Sequence, residues 1–252
     1  MSDHVAVHEH HGAHWDTSVW PLVIAFGILF FLPLSFTLNF VYHKPMLAIL
    51  SLGLGAPMII GGAAGWTSQA IGGGEGLSRP AMGWFILAEA MIFMSFFANY
   101  WFNRLTAVSW PPEGTPAIPQ LMPAIMTVFL VSSSFTAHAA EVGLEHGNRS
   151  TFLRWWVVTI LLGLAFVSMS GIEWHHLMSE GFTYGRNIYS TTFYSITGFH
   201  GAHVLLGLCG IVAVLIPALM GKINDGFVKT VSLYWHFVDI IWLFVVSQVY
   251  YW

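Results

Sequence analysis

The side chains in this sequence able to act as acids, bases or ligands lie mostly inside apolar stretches. His200 and His203 fall in Thr192–Val204, within an apolar run from Tyr189 to Met220. Their i, i+3 spacing puts both imidazoles on one helical face. His236 and Asp239 repeat that spacing in Ser232–Phe244, and Glu89 stands alone among the apolar residues of Gly83–Phe97. Inserting an ionised carboxylate at the centre of a membrane helix costs roughly 2.5–3.5 kcal/mol, so such groups face other helices, a partner or a watery cavity. An imidazole beside a carboxylate can hydrogen-bond it, share a proton with it, or join it in ligating zinc or iron.

Depth suggests which of them meet. Glu89 is about nine residues into its helix, roughly 13 Å below the membrane surface. His203 enters from the opposite surface, about fourteen residues into its own helix, and reaches a similar depth. A Glu89–His203 contact would satisfy two costly groups at once, leaving His200, one turn nearer the other surface, as a structural hydrogen-bonding group. His236 and Asp239 are expected to pair within the helix or across to another. His138, in Phe135–Glu141, belongs to the same leaflet as that pair, while Glu173, His175 and His176 close their helix on the opposite side.

His200, His203, His236 and Asp239 are chemically adequate metal ligands, but helix-to-helix hydrogen bonds account for them as readily. A di-iron bundle needs two facing Glu-x-x-His pairs. The only one here, Glu173 with His176, sits at a helix end without a counterpart. No catalytic residue and no metal site is assigned to the chain. The N-terminal residues His4, His8, His10, His11 and His14 could catch metal ions, but their polar surroundings read as a solvated tail.

The elements that must position these residues follow from composition. Only 8% of the 252 residues are charged, 56% are hydrophobic, and the mean hydropathy is +0.68, the profile of an integral membrane protein. A net charge of −4 with eight Lys and Arg leaves no basic surface for a nucleic-acid backbone. The lone cysteine, Cys209, lies in an apolar span. It excludes an intrachain disulfide and reads as a small core residue.

Hydropathy predicts an all-α seven-transmembrane-helix bundle with spans at Val19–Tyr42, Pro45–Ala70, Pro80–Phe102, Pro119–Ala140, Phe152–Ile172, Tyr189–Met220 and Lys229–Trp252. Residues 1–18 form a His-rich tail without a cleavable signal, and 19–252 a single transmembrane domain. Gly53, Gly55, Gly61, Gly62 and Gly65 in the second span favour close helix contact. The stretches Gly72–Arg79 and Trp110–Pro116 are loops. Arg79, Arg149, Arg154, Lys222 and Lys229 on the N-terminal side, against Lys44, Arg104 and Arg186, put the N-terminus in the cytoplasm by the positive-inside rule. Trp110, Trp155, Trp156, Tyr250, Tyr251 and Trp252 near span ends are expected to anchor at the membrane interface.

Tyr189–Gly207, with its Gly-Phe-His-Gly-Ala-His core, and Tyr234–Phe244, with Tyr-Trp-His-Phe-Val-Asp, resemble cytochrome c oxidase subunit III as strings. Ala88–Phe97 is similar to that family's acidic third helix, and Thr136–His138, Gly147–Arg149 and Glu173 fall where it has a histidine, an Asn-Arg turn and a glutamate. The resemblance runs from about residue 80 to the end. Ala98 and Phe102 stand where the family commonly has Trp and His, and the first two helices match poorly, as in a divergent bacterial-type branch.

The resemblance implies an accessory, non-redox subunit of a proton-pumping heme-copper terminal oxidase, in which oxygen is reduced to water by a partner. No cofactor is expected in this chain. Heme and copper would belong to partner subunits, the catalytic subunit I and subunit II, and structural phospholipids would fill a cleft between helices 1–2 and 3–7. Glu89 and His203 would lie along that cleft, with roles in proton uptake and protection of the catalytic centre, while His138, Glu173, His200, His236 and Asp239 form a structural polar network. The location implied is the bacterial cytoplasmic membrane. Accessory subunits of quinol oxidases and nitric oxide reductases share these features, and a free-standing transporter or a His/Asp metalloenzyme is the alternative of a different class.

Overall fold

In hydrocarbon a backbone must satisfy its own polar groups, which leaves helices or closed barrels, and the apolar runs of this chain fold as helices. The computed structural model describes residues 19–72 and 79–252. The His-rich tail and most of the glycine-rich Gly72–Arg79 stretch lie outside the described residues. Those described contain no β-strand. Among the described residues six helices are long and apolar enough to cross a membrane, and together they make this an integral membrane protein.

The helices fall into two compact units that divide between Gly76 and Leu77. In the first, α1 (Trp20–Leu29) is only ten residues long. Two π-helical turns, Phe30–Leu34 around Pro33 and Thr37–Val41, continue it, so the first predicted span is not one regular helix. Proline lacks an amide hydrogen and its ring crowds the preceding turn, a common cause of such widening. The second helix, α2 (Pro45–Gly72), packs closely on α1. A Cβ at Gly55 would lie 2.6 Å from the Phe31 nitrogen and 2.7 Å from the Gly27 carbonyl oxygen. Ser51 Oγ donates to the Phe30 carbonyl across the same contact at 2.6 Å.

The second unit contains α3 (Arg79–Thr106), α4 (Leu121–Glu145), α5 (Arg149–Ser179), α6 (Ile188–Leu219) and α7 (Asp225–Val245), the last continued by a π-helical turn over Val246–Tyr250. Helices α3–α5 run several residues past the C-terminal ends of their predicted spans, and α7 begins several residues before its own. Hydropathy registers only the stretch in hydrocarbon, whereas polar turns carry the helices past it until a cap ends them. Asparagine begins three helices of this unit, α5, α6 and α7: Asn148 Oδ1 accepts from Thr151 N at 3.0 Å, Asn187 forms a reciprocal box with Ser190, and Asn224 Oδ1 accepts from Phe227 N at 3.0 Å. Each satisfies an amide left over at a helix start.

Indole N–H groups bind the core of this unit together. Trp235 Nε1 donates to Ser133 Oγ at 3.0 Å and Trp242 Nε1 to Thr127 Oγ1 at 2.9 Å, both from α7 to α4. Trp156 Nε1 donates to the Ile211 carbonyl at 2.9 Å, from α5 to α6. Trp156 is fully buried, not an interfacial anchor, because its face of α5 turns towards α6. Removing a buried acceptor costs about 1–3 kcal/mol, so Thr127→Val is expected to destabilise the detergent-solubilised protein by that amount in thermal unfolding.

Polar clasps fix the helix ends. Arg149 donates to the Ala218 carbonyl at 2.8 and 3.2 Å and to Leu219 at 2.9 Å. Lys229 pairs with Glu145 at 2.6 Å, so the α4–α5 and α6–α7 connections share one end of the unit. At the other end Arg104 binds the Trp252 carbonyl oxygen and stacks over its ring at 4.2 Å. Arg186 donates to Gly114 and Gly181 carbonyls at 2.8 and 3.1 Å.

Candidate functional site

Glu89 on α3 and His203 on α6 meet. Nε2 of His203 lies 3.0 Å from Oε2 of Glu89, and the two side chains retain only 10% and 17% of their exposure. The other ring nitrogen, Nδ1, is 2.8 Å from the Phe199 carbonyl oxygen one turn earlier on α6. A carbonyl only accepts, so Nδ1 carries hydrogen and donates to it. A proton must then lie between Nε2 and the carboxyl, whether the pair is glutamic acid with neutral imidazole or carboxylate with imidazolium. In both forms the pair holds one proton there and has no net charge, which is the least costly state for two ionisable groups among apolar side chains.

Aromatic rings build the walls of this site. Phe93, one turn along α3 from Glu89, meets the His203 ring edge-on at 5.1 Å, and Phe199 does so at 4.5 Å. Tyr234 on α7 lies within electrostatic reach of Glu89, and its buried hydroxyl has no hydrogen-bond partner. The pair can hold, donate and accept one proton among aromatic side chains. In the sequence Tyr234 reads as packing, as any aromatic in an apolar run does.

The other polar residues are distributed differently from expectation. His200 is buried with both ring nitrogens unpartnered. It stacks on Trp242 at 5.2 Å and meets Phe166 edge-on at 5.8 Å, so it packs as an aromatic ring and makes no hydrogen bond. Glu173 is buried and accepts from the Tyr250 hydroxyl at 2.7 Å. α5 continues to Ser179 and the π-helical turn after α7 swings Tyr250 inward. Tyr250 is therefore a core partner and not an interfacial anchor.

His236 and Asp239 share a face of α7 but form neither a hydrogen bond nor an ion pair with each other. His236 Nε2 is 3.4 Å from Ser232 Oγ on its own helix, and Asp239 Oδ1 has no hydrogen-bond partner. His138 is exposed and 4.0 Å from Glu141; His176 is 3.4 Å from Glu180. Cys209 is exposed on the surface of α6 and is not a core residue. Among the described residues no three His, Cys, Asp or Glu side chains converge as metal ligands.

The family model described as cytochrome c oxidase subunit III matches residues 8–252. Cytochrome c oxidase subunit 3 of Synechocystis sp. is 35% identical over 170 residues, 66% of this chain and 72% of the relative. The probable cytochrome c oxidase subunit 3 of Mycobacterium leprae is 37% identical over 168 residues, 65% of this chain and 82% of the relative. A subunit 3 from Formosania lacustris is 31% identical over an alignment covering 97% of this chain and 98% of its own.

Proposed function

The chain belongs to the cytochrome c oxidase subunit III family, and from that premise we propose that it is the accessory, non-redox subunit of a proton-pumping heme-copper terminal oxidase in aerobic respiration. The chemistry of oxygen reduction to water takes place in the partner catalytic subunit I, which with subunit II holds the heme and copper. This chain binds structural phospholipids, supports proton uptake and protects the catalytic centre during turnover. The observation that carries the reading is the Glu89–His203 pair, a one-proton, net-neutral unit deep in a helical bundle.

On this reading the chain crosses the membrane seven times, with the interrupted α1 segment as the first crossing, and binds phospholipids along its helices. The similarity to bacterial relatives favours a bacterial cytoplasmic membrane, with the N-terminus in the cytoplasm by the distribution of Lys and Arg. Structural roles fall to His138, Glu173, His200, His236 and Asp239.

Purification from the native membrane tests the reading. Capture of this chain is expected to bring down heme-containing partners in fixed stoichiometry, while the chain separated from them is colourless. Stoichiometric metal or heme retained by the isolated chain would contradict it. So would a chain that never co-purifies with a heme protein.

A further inference from the structure

Asp239 presents a problem that its own neighbourhood does not solve. It is 7% exposed, its Oδ1 has no partner at full hydrogen-bond distance, and the Ser134 hydroxyl on α4 beside it engages the carboxyl only weakly. A buried polar atom left unsatisfied keeps its full desolvation penalty, and ordered water is the usual remedy where space and polar neighbours allow it.

Both are at hand one turn away. A groove of 310 Å³ opens between α4 and α7, lined by Glu141, Glu145, Lys229, Leu233 and His236. At roughly 30 Å³ per water molecule it has room for several. Its mouth is the Lys229–Glu145 ion pair at the end of the unit that carries the α4–α5 and α6–α7 connections. His236, one of its lining residues, shares a helical face with Asp239, about 4.5 Å of rise further along α7. The titratable groups facing this path are His138, Glu141 and Glu145 from α4, and Lys229, His236 and Asp239 from α7. Such a row is costly on a lipid-facing surface and favourable along water.

We infer that a water-filled inlet between α4 and α7 runs from the Lys229–Glu145 ion pair past His236 to Asp239 and Ser134, making Asp239 a site that exchanges protons with the aqueous phase on that side. The site is separate from the Glu89–His203 pair and involves no metal. Its ligands are water and the proton. It does not depend on what the partner subunits are, because the inlet is built from α4 and α7 alone.

Substituted-cysteine labelling tests the inlet in the assembled complex. In a Cys209→Ser background, which removes the only thiol of this chain, cysteine is placed on the inlet wall (Leu233→Cys), at its inner end (Ser134→Cys, a change of one atom) and on the lipid face (Ile240→Cys, where the native residue is 64% exposed). The probe is a small charged methanethiosulfonate, which needs a thiolate and hence water. Leu233→Cys and Ser134→Cys are expected to react at least about tenfold faster than Ile240→Cys, since hydrocarbon suppresses thiolate formation. Equal slow labelling at all three positions would show a groove filled by lipid and overturn the inlet. Labelling at Leu233→Cys without Ser134→Cys would show that water stops short of Asp239, and would overturn the proton-exchange site as well.

Discussion

Trp235→Ala is expected to destabilise the helical unit by about 3–5 kcal/mol, the range for emptying a buried large aromatic. The indole is 1% exposed and occupies a junction of four helices. A Cβ at Gly163 of α5 would lie 2.9 Å from its ring, and one at Gly207 of α6 would lie 2.8 Å away. Its N–H reaches Ser133 of α4. The two glycines leave the space that the ring fills, so truncation opens a cavity that neither backbone can move to close. Trp235→Phe should cost much less, because Ser133 Oγ remains satisfied by donating to the Leu130 carbonyl at 2.6 Å. Thermal unfolding in detergent distinguishes the two. A Trp235→Ala protein within about 1 kcal/mol of the parent would show that the junction collapses after all.

The second large effect is expected at Glu89. Glu89→Leu leaves His203 Nε2 buried without its partner, a loss of about 1–3 kcal/mol if the pair is neutral and about 3–5 kcal/mol if it is ionic. The double variant Glu89→Leu/His203→Leu removes both polar groups and should regain most of that loss, as apolar replacement of a buried pair often does. Glu89→Gln keeps a donor facing Nε2 and should assemble normally. A double-mutant cycle on complex yield and unfolding temperature measures the coupling. Additive effects of the two single substitutions would mean that the 3.0 Å contact carries no energy.

The Glu89–His203 contact is legible in the sequence because two independent quantities agree: each group is expensive in lipid, and the two, entering from opposite surfaces, reach a similar depth. The long helices were legible for a related reason, since apolar runs of membrane length leave the backbone one way to satisfy itself. The partner of Glu173 was not. Tyr250 stands two residues from the C-terminal tryptophan, where aromatics usually anchor at the interface, and only the π-helical turn after α7 rotates it into the core. Trp156 was misread for the same reason, because proximity to a span end says nothing about which side of the helix faces its neighbours.

His200 and Asp239 expose a different limit. Residue type indicates that a polar side chain in hydrocarbon needs company, but not that the company of His200 is aromatic, nor that Asp239 lies beside Ser134 of α4 without a hydrogen bond to His236. Irregularity in the first predicted span was equally hidden. Pro33 was present in the sequence, but hydropathy does not register a widened helical turn.

Oxygen reduction by the assembled complex carrying Glu89→Gln tests most directly whether this chain is an accessory subunit. The initial rate per heme and the number of turnovers before activity decays are measured on the same sample. An accessory subunit predicts an initial rate close to the parent complex with fewer turnovers completed before inactivation. Loss of oxygen reduction from the first turnover, in a complex with full heme content and normal subunit stoichiometry, would place Glu89 in the reaction itself and contradict the account.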